Sequence, residues 1–192
     1  MLGKTTRPGF SFLQLIFVVA IVGVMSMIVA PNLFKRRPMY EQKAFVTSLN
    51  AFLAEAWQRG LTTQKVQKIS FDLNQRKVML EQETDQRDAQ GGQVFAPVVV
   101  EYAPAQPSWP HDWEIRQFFV QGADEIASQT SQHRTADMVW FFILPGGLSQ
   151  EVIMNMVYIK DKQSGLEGKK NGLVLNPFTV QFKTYDEFQN PA

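Results

Sequence analysis

The sequence predicts an α+β fold in which one long N-terminal helix packs on an antiparallel β-sheet domain. Three observations carry that expectation. An uncharged apolar run near the N-terminus leads directly into a stretch with helical periodicity. Beyond Lys65 the apolar period shortens to that of strands. Asn, Pro and Gly clusters then punctuate the apolar segments towards the C-terminus.

The first element begins at Phe10. Residues 10–30 are almost entirely Leu, Ile, Val, Phe, Met and Ala, and no charged residue occurs between Arg7 and Lys35. As a helix rising about 1.5 Å per residue, this run spans about 30 Å, the thickness of a bilayer's hydrocarbon core. It has no polar face, and a helix apolar all round belongs in lipid or in a large core. Residues 10–34 are therefore expected to form a transmembrane helix. A secretory signal peptide would have a shorter apolar region with small residues at a cut after it. Here Pro31 would follow the only such cut, near Ala30. The break in composition falls earlier, between Gly9 and Phe10.

The second half of the helix is expected over residues 39–59. Phe45, Leu49, Phe52, Ala56 and Trp57 recur at three and four residue spacings, with Val46 and Leu53 beside them. Glu41, Lys43, Asn50, Glu55 and Arg59 fall mainly on the other side. Gly60 is the expected stop, and Pro31 and Pro38 are places where the rod can bend without ending.

Strands follow. Val66, Ile69, Phe71 and Leu73, then Val78 and Leu80, flank a turn at residues 74–77. Residues 81–93 are acidic and Gln-rich and contain Gly91-Gly92, so they are expected to be a mobile loop. Residues 95–102 form a candidate edge strand because of Pro97. Pro104, Pro107 and Pro110 then mark an irregular connection carrying Trp109 and Trp113. Further strands are expected at 113–120, at 138–144 and 152–159 around Pro145-Gly146-Gly147, and at 173–175 and 180–185 around Asn176-Pro177-Phe178-Thr179.

Composition narrows the function. The net charge is +1, so no strong field draws nucleic acid or acidic substrates, and the chain has no Cys for disulfides or thiolate metal sites. His111 beside Asp112, and His133 four residues before Asp137, are too few ligands for a metal centre and sit in polar sequence. Neither Gly91-Gly92 nor Pro145-Gly146-Gly147 has the helix and Lys context of a phosphate loop. Trp57, Trp109, Trp113 and Trp140 read as core or interface anchors. The expectation is no enzyme, no cofactor and no metal.

Gly9-Phe10-Ser11-Phe12-Leu13-Gln14-Leu15 resembles the processing site of type IV prepilins and type II secretion pseudopilins. Residues 1–9, with Lys4 and Arg7, are similar to the basic leader of that family. The resemblance implies cleavage between Gly9 and Phe10 by a prepilin peptidase, and N-methylation of Phe10. Pro31 sits where pilin helices commonly carry a kinking proline. The order of long helix, hairpins and a closing hairpin with an Asn-Pro turn is most similar to the minor pseudopilin H (FimT-like) group. Val180 stands where that group often has Gly.

Gln14 departs from the family pattern, which has Glu there. That carboxylate is understood to pair with a neighbouring subunit's N-terminal amine inside the membrane, where an unpaired charge costs several kcal/mol. Gln can accept a hydrogen bond from the amine but cannot neutralise it. This suggests a subunit present in few copies or at a filament tip; the alternative is a polar residue simply tolerated in the helix. The resemblance implies a minor pseudopilin of the type II secretion pseudopilus, supporting protein export across the outer membrane. Its partners would be other pseudopilins or pilins, the prepilin peptidase and inner-membrane lipid. Lys35-Arg36-Arg37 after the helix would by loop charge favour the reverse orientation. The family's cytoplasmic peptidase instead implies a single-pass inner-membrane protein with residues 35–192 as a periplasmic domain. A minor type IV pilin, or a membrane-anchored binding domain that never polymerises, are the alternatives.

Overall fold

A computed structural model describes residues 12–98, 106–131, 136–159 and 168–191, and within its first helix all side chains but those of Leu13 and residues 28–38. That helix, α1 (Phe12–Thr63), runs unbroken for 52 residues. Pro31 and Pro38 do not end it. The chain divides inside α1 into two units, Met1–Tyr40 and Glu41–Ala192.

In the first unit the described apolar side chains from Phe12 to Met27 are exposed, Phe12 at 76% and Met27 at 81%. Among the described residues no helix is long and apolar enough to cross a membrane. The transmembrane helix expected over residues 10–34 is therefore not found as such.

In the second unit α1 follows the expected stripe. Phe45, Leu49, Phe52, Leu53 and Ala56 are buried, and Val46 nearly so. Burial of each large side chain contributes about 1.5–3 kcal/mol relative to exposure. Gln42 is also buried, one turn before Phe45. The helix stop differs from expectation: α1 continues past Gly60 to Thr63. Gln64 is the residue that turns left-handed (φ 55°), its amide donating to the Gly60 carbonyl at 3.0 Å. Gly60 is buried inside the last turn, where a Cβ would make ordinary contacts with Gln67 and the Leu144 carbonyl.

The strands form two antiparallel sheets where the sequence suggested one. Sheet A holds β1 (Gln67–Asp72), β2 (Lys77–Arg87), β3 (Gln93–Pro97) and β6 (Met138–Ile143), in the order β3-β2-β1-β6. Sheet B holds β4 (Trp113–Val120), β5 (Ala123–Asp124), β7 (Val152–Tyr158), β8 (Lys170–Asn176) and β9 (Gln181–Tyr185), in the order β5-β4-β7-β8-β9. Ile69, Phe71, Leu80 and Phe141 of sheet A join Trp113, Phe118, Met154 and Leu173 of sheet B and the α1 stripe in one core. Phe71 is its hub, with ring centroids 5.3 Å from Phe118 and 6.4 Å from Phe141.

Three further expectations are corrected. Residues 81–93 are no mobile loop: β2 extends to Arg87 and pairs with β3, with a register shift between Glu83 and Arg87. Polar residues suffice there because most of the second half of the strand faces outwards. Next, Pro145-Gly146-Gly147 does not join two neighbouring strands. It carries the chain from β6, paired to β1, across to β7, which lies between β4 and β8. Finally, a short helix α2 (Glu125–Ser131), unforeseen in the sequence, follows β5, with Asp124 Oδ1 accepting from the amides of Ile126 and Ala127. Pro97 does lie on the edge strand β3, while residues 99–102 of the expected strand lie outside the described residues.

The segment after β9 is fastened across sheet B. Asn155, fully buried on β7, donates to the Gln189 carbonyl (2.8 Å) and accepts from the Gln189 amide (3.0 Å). Gly172, paired with Asn155 on β8, leaves the room; a Cβ there would lie 2.6 Å from the Glu187 carbonyl oxygen.

Candidate assembly surfaces

Of the residues singled out in the sequence, Gly9 and Phe10 lie outside the described residues. Gln14 is exposed in the first full turn of α1, and Pro31 lies within α1, its side chain not among those described. Gln14 and Pro31 lie on the same helix, 17 residues apart. Exposed His111 lies in the turn before β4, whereas His133 is outside the described residues. Among the described residues there is no cluster of three His, Cys, Asp or Glu side chains able to hold a metal ion. The carbonyl of His111 is instead one of three gripped by Arg76, with those of Pro110 and Trp113, at 2.6, 3.2 and 3.0 Å. Arg76 thereby fixes the irregular connection to the β1–β2 turn.

The tryptophans differ in burial. Trp109 and Trp113 are core; Trp57 is half-buried and donates its Nε1 to the Gly147 carbonyl at 2.8 Å. Trp140 stands on the outer face of sheet A, 40% exposed. Lys68 Nζ lies 5.2 Å from its ring centroid, 5.7 Å from that of Phe95, and 3.0 Å from a Glu81 oxygen. Phe95 stacks on Phe142 at 5.6 Å. The sheet face thus carries aromatic rings around an ammonium already paired.

Among the described residues of the second unit, Leu61, Trp140, Leu144, Leu148 and Phe178 are the large apolar side chains left exposed. All but Trp140 belong to segments that meet at the C-terminal end of α1. A Cβ on Gly147 would lie 3.0 Å from Leu61 Cδ2, and the Leu144 amide donates to the Leu148 carbonyl at 2.7 Å. The Ser149 amide then reaches the Pro177 carbonyl at 2.9 Å, next to Phe178.

Phe178 is the most prominent of them, 74% exposed at the tip of the β8–β9 turn. Asn176 Oδ1 accepts from the amides of Phe178 (2.9 Å) and Thr179 (3.3 Å), and the Val180 amide donates to the Asn176 carbonyl at 2.9 Å. Val180 closes the turn at φ 52°, a left-handed conformation uncommon for a β-branched residue. Its side chain is fully buried. The sequence signalled this turn through Asn176-Pro177 but gave no sign that Phe178 would be presented.

Comparison with solved structures finds a likeness to the minor pseudopilin EpsH from the Type 2 Secretion System of Vibrio cholerae. Identity is 11%, coverage is 76% of this chain and 97% of that chain, and the TM-score is 0.48. No family model and no curated protein matches the chain. A likeness at this level says nothing of what the chain binds. The two surfaces therefore stand on their own chemistry: an exposed apolar helical segment, and a domain whose exposed apolar residues, Trp140 apart, belong to segments meeting at the end of the same helix.

Proposed function

We propose that the chain is a minor pilin-like subunit, a minor pseudopilin of a type II secretion pseudopilus that supports protein export across the outer membrane. The observation that carries this reading is the single unbroken helix Phe12–Thr63. From Phe12 to Met27 its described apolar side chains are exposed, while its stripe from Phe45 to Ala56 belongs to the core of a folded domain. Such a helix suits a subunit held in the inner membrane by residues 10–34 and then packed against the apolar helices of neighbouring subunits. Gly9-Phe10 is the processing site that this role requires, Pro31 lies in the packing segment, and residues 35–192 lie in the periplasm. The role is mechanical; no residue is assigned a catalytic part.

Gln14 favours a second reading, a membrane-anchored binding domain that never polymerises, because an amide cannot neutralise a neighbour's amine. Processing separates the two. Intact-mass measurement on protein from native membranes is expected to show loss of residues 1–9 and a methylated Phe10 amine. An unprocessed Met1 terminus in cells with an active prepilin peptidase overturns the assembly reading and leaves the anchor.

A further inference from the structure

The β8–β9 turn places a knob and a socket side by side. The knob is Phe178, held out on a turn fixed by two hydrogen bonds to Asn176 Oδ1. The socket is a cleft of about 730 Å³ that Phe178 itself borders, its lining also including Val174, Phe182 and Tyr185, with Glu151 and Lys183 on its wall. We propose that a second copy of this chain docks here through a closed twofold, each Phe178 entering the cleft of the other copy.

Three features select that occupant. A twofold interface must carry both halves of every contact on one patch, and this patch holds knob and socket together. Glu151 and Lys183 are both exposed on that patch, so one twofold can bring Glu151 of each copy to Lys183 of the other. The charges are thus complementary to themselves. The turn is also preorganised, so docking Phe178 orders little that is free beforehand. A lipid surface fits less well: among the described residues Lys183 is the single basic one lining the cleft and shares the wall with Glu151, where anionic headgroups favour clusters of basic residues. The pair closes on itself and leaves no free end for a polymer. The inference is independent of the proposed secretion role.

Sedimentation equilibrium on the full-length chain in a mild non-ionic detergent tests it. A reversible dimer is expected, weakened about tenfold or more by Phe178→Ala, by Glu151→Lys and by Lys183→Glu. The double variant Glu151→Lys/Lys183→Glu is expected to recover most of the lost affinity. Unchanged near-ultraviolet circular dichroism identifies the variants that remain folded. A chain monomeric at all concentrations overturns the proposal, as does a dimer indifferent to these substitutions or a double variant without recovery. A photoreactive phenylalanine analogue at position 178 covers other occupants in native membranes. Self-crosslinks mapping to β8–β9 support the pair, whereas crosslinks only to lipid or to a different protein overturn it.

Discussion

At the scale of single residues, three side-chain amides imitate backbone. Asn50 of α1 donates to the Phe182 carbonyl (3.1 Å) and accepts from the Phe182 amide (2.8 Å), closing part of the free edge of β9. Gln150 gives the edge of β6 a similar pair, its Oε1 and its own amide meeting the Phe142 amide and carbonyl. Asn155 does the same for Gln189. Satisfied edges are poor templates for unwanted strand pairing. Val180 poses a different balance. Its left-handed φ costs about 1–2 kcal/mol, while its fully buried side chain contributes about 1.5–3 kcal/mol. Burial outweighs the strain. Both Val180→Gly and Val180→Ala are therefore expected to lower stability in urea unfolding. Gly should retain about 1 kcal/mol more than Ala, because it alone is free of the dihedral cost. A glycine variant more stable than the parent would show that strain outweighs packing here.

At the scale of elements, the sequence was most legible where burial imposes a period. The stripe of α1 from Phe45 to Ala56 and the core strands β4 and β7 stand where the pattern placed them: α1 buries one helical face, β4 alternates, and β7 is a near-continuous apolar run buried on both faces. The β2–β3 hairpin was illegible for the converse reason. Beyond Glu81 the side-chain links between the two strands are Thr84 Oγ1 donating to the Val94 carbonyl (3.0 Å) and Gln93 donating to Glu83 (2.8 Å), with Lys65 before β1 pairing to Asp85 (3.0 Å). None of these leaves an apolar period to read. Gly60 misled because a buried glycine and a helix-ending glycine look alike in sequence. The two-sheet arrangement depends on which strands pair across long separations, which no local pattern encodes. Phe178 was hidden in the same way, since a turn motif states a bend and not what it displays. The hairpin makes a prediction of its own. Asp88 Oδ1 accepts from the amides of Gln90 (2.9 Å) and Gly92 (2.6 Å), and Gly91 supplies φ 82°. Asp88→Ala should cost about 1 kcal/mol locally, as loss of a side-chain cap does, and fray the distal hairpin first. Amide exchange should accelerate at Arg87 and Gln93 while Ile69 and Phe71 stay protected. Uniform acceleration across sheet A would mean that the hairpin is not a separable unit.

At the scale of the whole molecule, the described core lies within Glu41–Ala192, and every residue of the central cluster comes from that unit. The exposed apolar side chains from Phe12 to Met27 contribute nothing to that core. A chain beginning at Lys35 is therefore expected to fold without them. It keeps α1 from Gln42 through Ala56, the nine described strands and the Asn155 fastening of the C-terminal segment, an apolar interior ample for a domain of this size. Removing the first unit also takes away the longest exposed apolar surface, so the shortened chain should be soluble without detergent where the full chain is not. Circular dichroism should show mixed helix and strand, and heating should give one cooperative transition, since α1 and both sheets share a single core. The test is sharp for α1 itself. If residues 12–34 only present apolar surface to something outside the domain, melting of the shortened chain should match that of the domain in the full chain. A shortened chain that is molten or aggregates would place the N-terminal half of α1 inside the folding unit, and the membrane role assigned to it would fall with that result.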